Sequence, residues 1–172
     1  EFRDSDKVMT GKSFVAPWQG GFGTTLTWKG ISLVAQFSWV ADRWVFNNDR
    51  YLDEGNGLFE TYNQSSRLLY DRWKKPGDVT DIPRYGVTPQ MDSRFLEDAS
   101  FLRLKNLMLS YNFPQTLLKK TNFLTHLRVF AQGQNLLTFT KFSGLDPEGV
   151  SNMYQAQYPS TRQFTFGLEV SF

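Results

Sequence analysis

Hydrophobic and polar residues alternate with a period of two over much of the chain, and amphipathic helical periodicity is nearly absent. Five runs carry the pattern. In Gly21–Lys29, Phe22, Leu26 and Trp28 fall on one face and Thr25, Thr27 and Lys29 on the other; Lys29-Gly30 then reads as a tight hairpin turn. From Ile31 to about Phe46, residues Ile31, Leu33, Ala35, Phe37 and Trp39 form an unbroken apolar face opposite Ser32, Gln36 and Ser38, with Val34 and Val40 as exceptions. In Ala99–Phe113 the apolar phase changes part way. Leu107, Leu109, Tyr111 and Phe113 share a face with Arg103 and Lys105, while Leu102 and Leu104 lie opposite. A β-bulge, or passage out of an apolar layer, accounts for that change. The fourth run is Thr125–Thr140. The fifth, Thr161–Phe172, places Phe164, Phe166, Leu168, Val170 and Phe172 on one face without exception.

Two long connections interrupt the strands. Residues 47–98 are rich in Gly, Pro, Asn and Asp, with ten acids against seven bases, and read as one long loop with little regular structure. Residues 141–160 are punctuated by Gly144, Pro147, Gly149 and Pro159. The other links, Lys29-Gly30 and Pro114 to Leu124, are short.

Alternation alone does not say which face is wet. A soluble sandwich buries its apolar face, whereas a membrane barrel turns that face to lipid and lines its lumen with the polar one. Aromatic residues gather near strand ends, with Trp28, Tyr111, Phe113 and Phe172 at one level and Trp39, Trp44, Phe139 and Phe164 at the other. Two such levels, and short links alternating with long ones, favour the membrane arrangement.

Composition narrows the chemistry. The 172 residues include 28 aromatics and a net charge of +2, so no electrostatic feature points to nucleic acid. Cysteine is absent, which excludes disulfides and thiolate chemistry, and the only histidine is His126, which excludes a histidine-based metal site or triad. No apolar run approaches the roughly 20 residues of a transmembrane helix. Asp78 with Asp81, or Asp146 with Glu148, are candidates for calcium, although Gly-Asp and Asp-Pro also make turns. No other cofactor is expected. In the long loop, Trp73 is a candidate for stacking on a sugar ring, with Arg72, Asp78 and Arg84 as polar partners.

Several segments, in order, resemble the C-terminal region of the SusC/RagA family of TonB-dependent outer-membrane transporters. They are GGFGTTLTWKGISLVAQFSWVADRWVFNNDR (20–50), RWKKPGDVTDIPR (72–84), DSRFLEDASFLRLKNLMLSYNFP (92–114), LRVFAQGQNLLTFTKFSGLDPE (127–148) and YPSTRQFTFGLEVSF (158–172). The last residues also resemble the signal read by the barrel-assembly machinery, with Thr165, Gly167, Val170 and Phe172 in its places. The resemblance implies an all-β fold: about five C-terminal strands of a large transmembrane antiparallel barrel, near 21–29, 31–46, 99–113, 125–140 and 161–172. Loops 47–98 and 141–160 would be extracellular and the C-terminus periplasmic. It further implies a non-enzymatic, TonB-dependent importer of oligosaccharides or peptides in the outer membrane, working with a SusD-like surface lipoprotein.

Five strands do not close a membrane barrel, which takes at least about eight and, in plugged transporters, about 22. The chain is therefore expected to pair with the remainder of the same barrel and its plug. The plug domain and the segment that contacts the TonB complex belong to the family's N-terminal part and are expected to be absent here. The rival reading is a soluble, secreted all-β carbohydrate-binding module, in which the Phe164–Phe172 face is a protein core. A weaker rival is a small barrel closed by several copies of the chain.

Overall fold

The computed structural model describes residues 3–56, 59, 61–87, 89–121, 123–149 and 151–172. The strands are β1 (Trp18–Trp28), β2 (Ile31–Ala41), β3 (Trp44–Asn47), β4 (Leu96–Asp98), β5 (Phe101–Asn112), β6 (His126–Thr140), β7 (Met153–Tyr154) and β8 (Gln163–Ser171). Short helices α1 (Asn48–Asp53), α2 (Arg67–Tyr70) and α3 (Gln115–Leu118) lie between them. The fold is all-β, and its strands form two sheets in two compact units.

The larger unit is one antiparallel sheet of order β1-β2-β5-β6-β8. The β1–β2 turn has positive φ at both Lys29 (47°) and Gly30 (88°), the geometry that matches strand twist in a two-residue hairpin. Side chains alternate across the sheet, so cross-strand partners fall into rows. Trp28, Ile31, Tyr111, Val129 and Leu168 make one apolar row, and Leu26, Leu33, Leu109, Ala131 and Phe166 the next. On the opposite face Gly23, Gln36, Asn106, Gln134 and Gln163 align. There Gln132 donates to Asn106 at 2.8 Å, and Arg128 reaches Glu169 at 3.4 Å.

The phase change in the third run is an irregularity in register at Lys105. Leu104 pairs with Phe37 and Asn106 with Gln36, so Lys105 is the extra residue on β5. The extra residue returns Leu102 and Leu104 to the apolar rows, beside Trp39 and Phe37. Arg103 is placed between Ser38 and Thr138 in a polar row, and it is buried. Simple alternation had put Arg103 on the apolar side.

The second run does not continue as one strand to Phe46. It stops at Ala41; Asp42 takes a left-handed φ of 57°, and the chain resumes as β3 in the other sheet. Trp44 therefore belongs to the smaller unit and not to an aromatic level of the larger sheet. Trp39 and Phe139 do share a row through Leu102, whereas Phe164 pairs with Gly133, well along β6 from Phe139.

The smaller unit holds residues 1–17, 42–100 and 141–158. The segment 47–98 contributes only short elements, α1, α2, β4 and a 3-10 turn at Ser93–Phe95, joined by turns and irregular chain. In the small sheet β3 pairs antiparallel with β4 and parallel with β7. Val45, Ala99, Phe142 and Tyr154 form its buried cluster, with Phe14 packed against it. Phe95 is fully buried, and its ring meets Tyr51 edge-on at 5.4 Å. Burial of such rings contributes roughly 25 cal/mol per Å2 of apolar surface.

Candidate functional site

The smaller unit carries the concentrated chemistry. Asn47 caps α1, its Oδ1 accepting from the Arg50 amide at 3.0 Å. The helix that starts there spaces Arg50 and Glu54 one turn apart on one face. Arg50 then bridges three carboxylates: Nε to Glu54 at 3.1 Å, Nη2 to Asp81 at 2.8 Å and Nη1 to Glu97 at 3.2 Å. Arg67, at the start of α2, reaches the same Glu54 at 2.5 Å and Asp81 at 2.7 Å. Two guanidinium forks thus clamp two shared carboxylates, and they tie α1, α2 and the segment around Asp81 together.

The electrostatics follow from this arrangement. Burial alone would lower the Arg50 pKa, but the hydrogen bonds and charges of Glu54 and Glu97 outweigh it and hold the guanidinium above its ordinary value. Asp81 feels some burial, yet the charges of Arg67 and Arg50 keep it below the usual carboxylate range. Asp53 shifts the other way: burial, and then the charges of Asp49 and Glu54, push it up. Arg43 is lowered by burial against the opposing charge of Glu148; it donates to the Gly149 carbonyl and stacks over Phe14.

A cleft of about 880 Å3 opens beside the clamp, lined in part by Asp49, Arg50, Asp53, Glu54, Arg67 and Tyr154. Its rim is fixed from several directions. Asp49 accepts from the Ala156 amide at 2.9 Å, and the Tyr154 hydroxyl accepts from the Leu145 amide at 3.0 Å. Chemically this is a cleft whose lining combines apolar surface with charges of both signs. Among the described residues no three His, Asp or Glu side chains group so as to hold a metal ion.

The residues singled out from sequence are only partly brought together. Arg72 places its guanidinium 5.3 Å from the Tyr85 ring centroid. Arg72 and Asp78 line a polar depression that also includes Lys74 and Lys75. Asp78 accepts from the backbone amides of Lys74 and Lys75, both at 3.0 Å, which closes the turn. Trp73 is half-buried, and its amide bonds to the Ile82 carbonyl. Arg84 is exposed, with its carbonyl accepting from Asn56 at 2.6 Å. Of the calcium candidates, Asp81 is occupied by the two arginines, and Asp146 accepts from the Glu148 amide at 2.9 Å. On β8, Thr165 pairs with Gln132, Gly167 with Phe130 and Val170 with Leu127. Phe172 stacks on Phe123 at 6.1 Å.

Sequence reasoning missed the Arg50–Glu54–Arg67–Asp81 clamp. The i,i+4 spacing of Arg50 and Glu54 was a readable signal. Nothing local connects them to Arg67 and Asp81.

The carbohydrate-module reading expected the β8 Phe face to be a protein core. In the structure Phe164 is 66% and Phe166 78% exposed. A broad antiparallel sheet with one exposed apolar face, together with a folded body built from the loops between its strands, defines an all-β protein.

No family model matches the chain. In sequence the chain is 33% identical over 165 residues to TonB-dependent receptor P3 of Formosa agariphila, covering 88% of this chain and 16% of that receptor. It is 37% identical over 87 residues to TonB-dependent receptor SusC of Bacteroides thetaiotaomicron, covering 51% and 9%. In structure it superposes on a chain of the RagAB peptide importer in its 'open-open' state with a TM-score of 0.92 and 40% identity, covering 100% of this chain and 19% of that one. The chain belongs to the SusC/RagA family of TonB-dependent receptors. It spans about a sixth of the length of P3 and of a second similar protein, TonB-dependent receptor P26 of Formosa agariphila, to which it is 30% identical over 171 residues.

Proposed function

We propose that the chain is a C-terminal wall segment of an outer-membrane, TonB-dependent nutrient importer for oligosaccharides or peptides. The observation that supports it most directly is the sheet's two-faced character. The apolar rows are exposed, with Trp28 at 67%, Leu26 at 60% and Leu168 at 72%, while polar and charged residues predominate on the other face, where Val34, Met108 and Phe130 are apolar exceptions. Exposed apolar rows are costly in water and at home in lipid. Among the described residues the outer strands β1 and β8 each pair on one side only, and unpaired strand edges are not tolerated in a bilayer. The remainder of the barrel would complete them.

In this reading the smaller unit is extracellular and the C-terminus periplasmic. A SusD-like lipoprotein covers the outer mouth, and the TonB complex and plug act through the rest of the transporter. The barrel-assembly machinery reads β8, where Thr165, Gly167 and Val170, with Phe172 beyond it, resemble its signal.

The test is fractionation of cells carrying the complete transporter, with and without a functional TonB protein. We expect the protein in the outer membrane, a surface lipoprotein co-purifying in detergent, and nutrient uptake lost without TonB. Recovery in the detergent-free soluble fraction would overturn the reading.

A further inference from the structure

Charge is divided unevenly over the chain. The larger unit, residues 18–41, 101–140 and 159–172, holds seven Lys and Arg side chains against a single carboxylate side chain, Glu169. Glu169 is committed to Arg128 at 3.4 Å. Three of the other cations, Lys29, Lys119 and Lys120, lie in the links β1–β2 and β5–β6, at one end of the sheet, and all three are exposed. The opposite end holds Ala41, Phe101 and Thr140, where the chain passes into the smaller unit. Neither 28–31 nor 111–126 contains an Asp or Glu, so nothing in these stretches neutralises the lysines. The two links are joined, since the Asn112 amide donates to the Gly30 carbonyl at 2.8 Å.

Strict alternation would turn Lys29 away from the apolar face. Its Nζ instead sits 4.8 Å from the centroid of the Trp28 ring, and Trp28 stands in an apolar row. The ammonium is thereby held at the margin of the apolar face. Beside that margin the face is grooved. A groove of about 400 Å3 is lined by Ile31, Leu109, Tyr111, Val129 and Ala131. It follows β6, where Val129 and Ala131 are small between Leu109 and Tyr111 on one side and Phe166 and Leu168 on the other. Phe113 meets the Tyr111 ring edge-on at 4.9 Å and supports that wall. Past Ala131 the same face of β6 is covered, because Leu136 lies within 2.8 Å of where a Cβ on Gly133 would stand. The groove therefore ends there and leads toward the Lys29 end.

A narrow hydrocarbon groove leading to uncompensated cations matches a ligand with an apolar tail and an anionic head. A free phosphate would use the lysines and leave the groove empty. A zwitterionic lipid would use the groove and gain little from the lysines. We infer that this groove seats an acyl chain of an anionic phospholipid, with its headgroup phosphate held by Lys29, Lys119 and Lys120. The site rests on the membrane-wall reading above and adds to it a preference for one class of bilayer lipid.

The complete transporter would be placed in phosphatidylcholine nanodiscs. These would carry, at equal mole fraction, either phosphatidylglycerol or phosphatidylethanolamine with a photoreactive diazirine in the acyl chain. After illumination, labelled peptides are mapped by mass spectrometry. The expected result is labelling at 109–111 and 129–131, with phosphatidylglycerol favoured by about fivefold, the preference that one lysine beside an anionic headgroup supplies. Ala131→Phe fills the groove from a half-buried position and should remove most of this labelling by either lipid. The triple variant Lys29→Gln, Lys119→Gln, Lys120→Gln changes only exposed side chains and should bring the ratio of the two lipids close to one. Equal labelling by both lipids in the parent, labelling confined to other strands, or an undiminished preference in the triple variant would each overturn the site. If the same preparation comes from the outer membrane and supports TonB-dependent uptake, such a result removes only the lipid site. If the protein is soluble without detergent, the importer reading falls, and the lipid site with it.

Discussion

The ring of Phe130 fills the space in which a side chain at Gly167 would stand: a Cβ there would come within 2.4 Å of the ring. The two residues are directly paired across β6 and β8 on the polar face. Gly167 is one of the residues that resemble an assembly signal, and here it has a packing reason of its own.

Gly167→Val should therefore force the Phe130 ring from its position and cost about 1–3 kcal/mol, the usual range for overpacking. Phe130→Ala in the same molecule should recover most of that loss. Urea unfolding of the complete protein in detergent, followed by tryptophan fluorescence, measures both. A Gly167→Val effect that persists without the Phe130 ring would place the cause elsewhere.

The register irregularity at Lys105 makes a prediction that ordinary alternation does not. Leu104 and Leu107 are three residues apart, yet both lie in apolar rows, while Arg103 lies in a polar row. The chain has no cysteine, so single cysteines report cleanly. Leu104→Cys and Leu107→Cys carrying an environment-sensitive dye should both show the blue-shifted emission of an apolar setting. Thr138→Cys, on the row of Arg103, should emit as in water.

Arg50 joins Glu54, Asp81 and Glu97, and Glu54 is 2% exposed. Arg50→Met should destabilise the smaller unit by about 3 kcal/mol, since breaking a buried pair leaves carboxylates uncompensated. Arg50→Lys should recover little, because an ammonium cannot reach three carboxylates as a fork does. Limited proteolysis near Lys74-Lys75, timed against the unaltered protein, gives the comparison.

The two shifted carboxylates predict opposite responses to acid. Asp81 is held below the usual range by Arg67 and Arg50, so its contribution is present above pH 4 and is lost as pH falls through its lowered value. Asp53 is pushed up, so its ionisation disfavours the fold as pH rises through its raised value. Asp53→Asn should raise the thermal midpoint at pH 7 and leave it unchanged near pH 3. Asp81→Asn should lower it at pH 7, with the difference shrinking in acid.

The sheet was legible because each strand carries its own period-two signal, and Phe164 to Phe172 is the plainest case. The phase change at Leu104–Lys105 was visible in the same way, and the bulge accounts for it. The break at Asp42 was hidden, since the apolar residues Trp44 and Phe46 continue past it. The small sheet was hidden for another reason: β3, β4 and β7 are two to four residues long, too short for a periodic signal. Its core joins Val45, Ala99 and Tyr154 across more than a hundred residues. The clamp around Glu54 has the same character. Its acids and bases could be counted, but their pairing depends on chain reversals that no local pattern encodes.

The parallel bond between β3 and β7 has a mechanical consequence. Phe46 and Asn47 run beside Met153 and Tyr154, while Asn47 and Glu97 hold Ser143. The two excursions of the chain are thereby spliced into a single lever and cannot swing as separate flaps. A cut at Lys74-Lys75 would leave both halves gripped. Any force applied to one excursion is transmitted at once to the other, so a ligand or partner that pulls on either must move both.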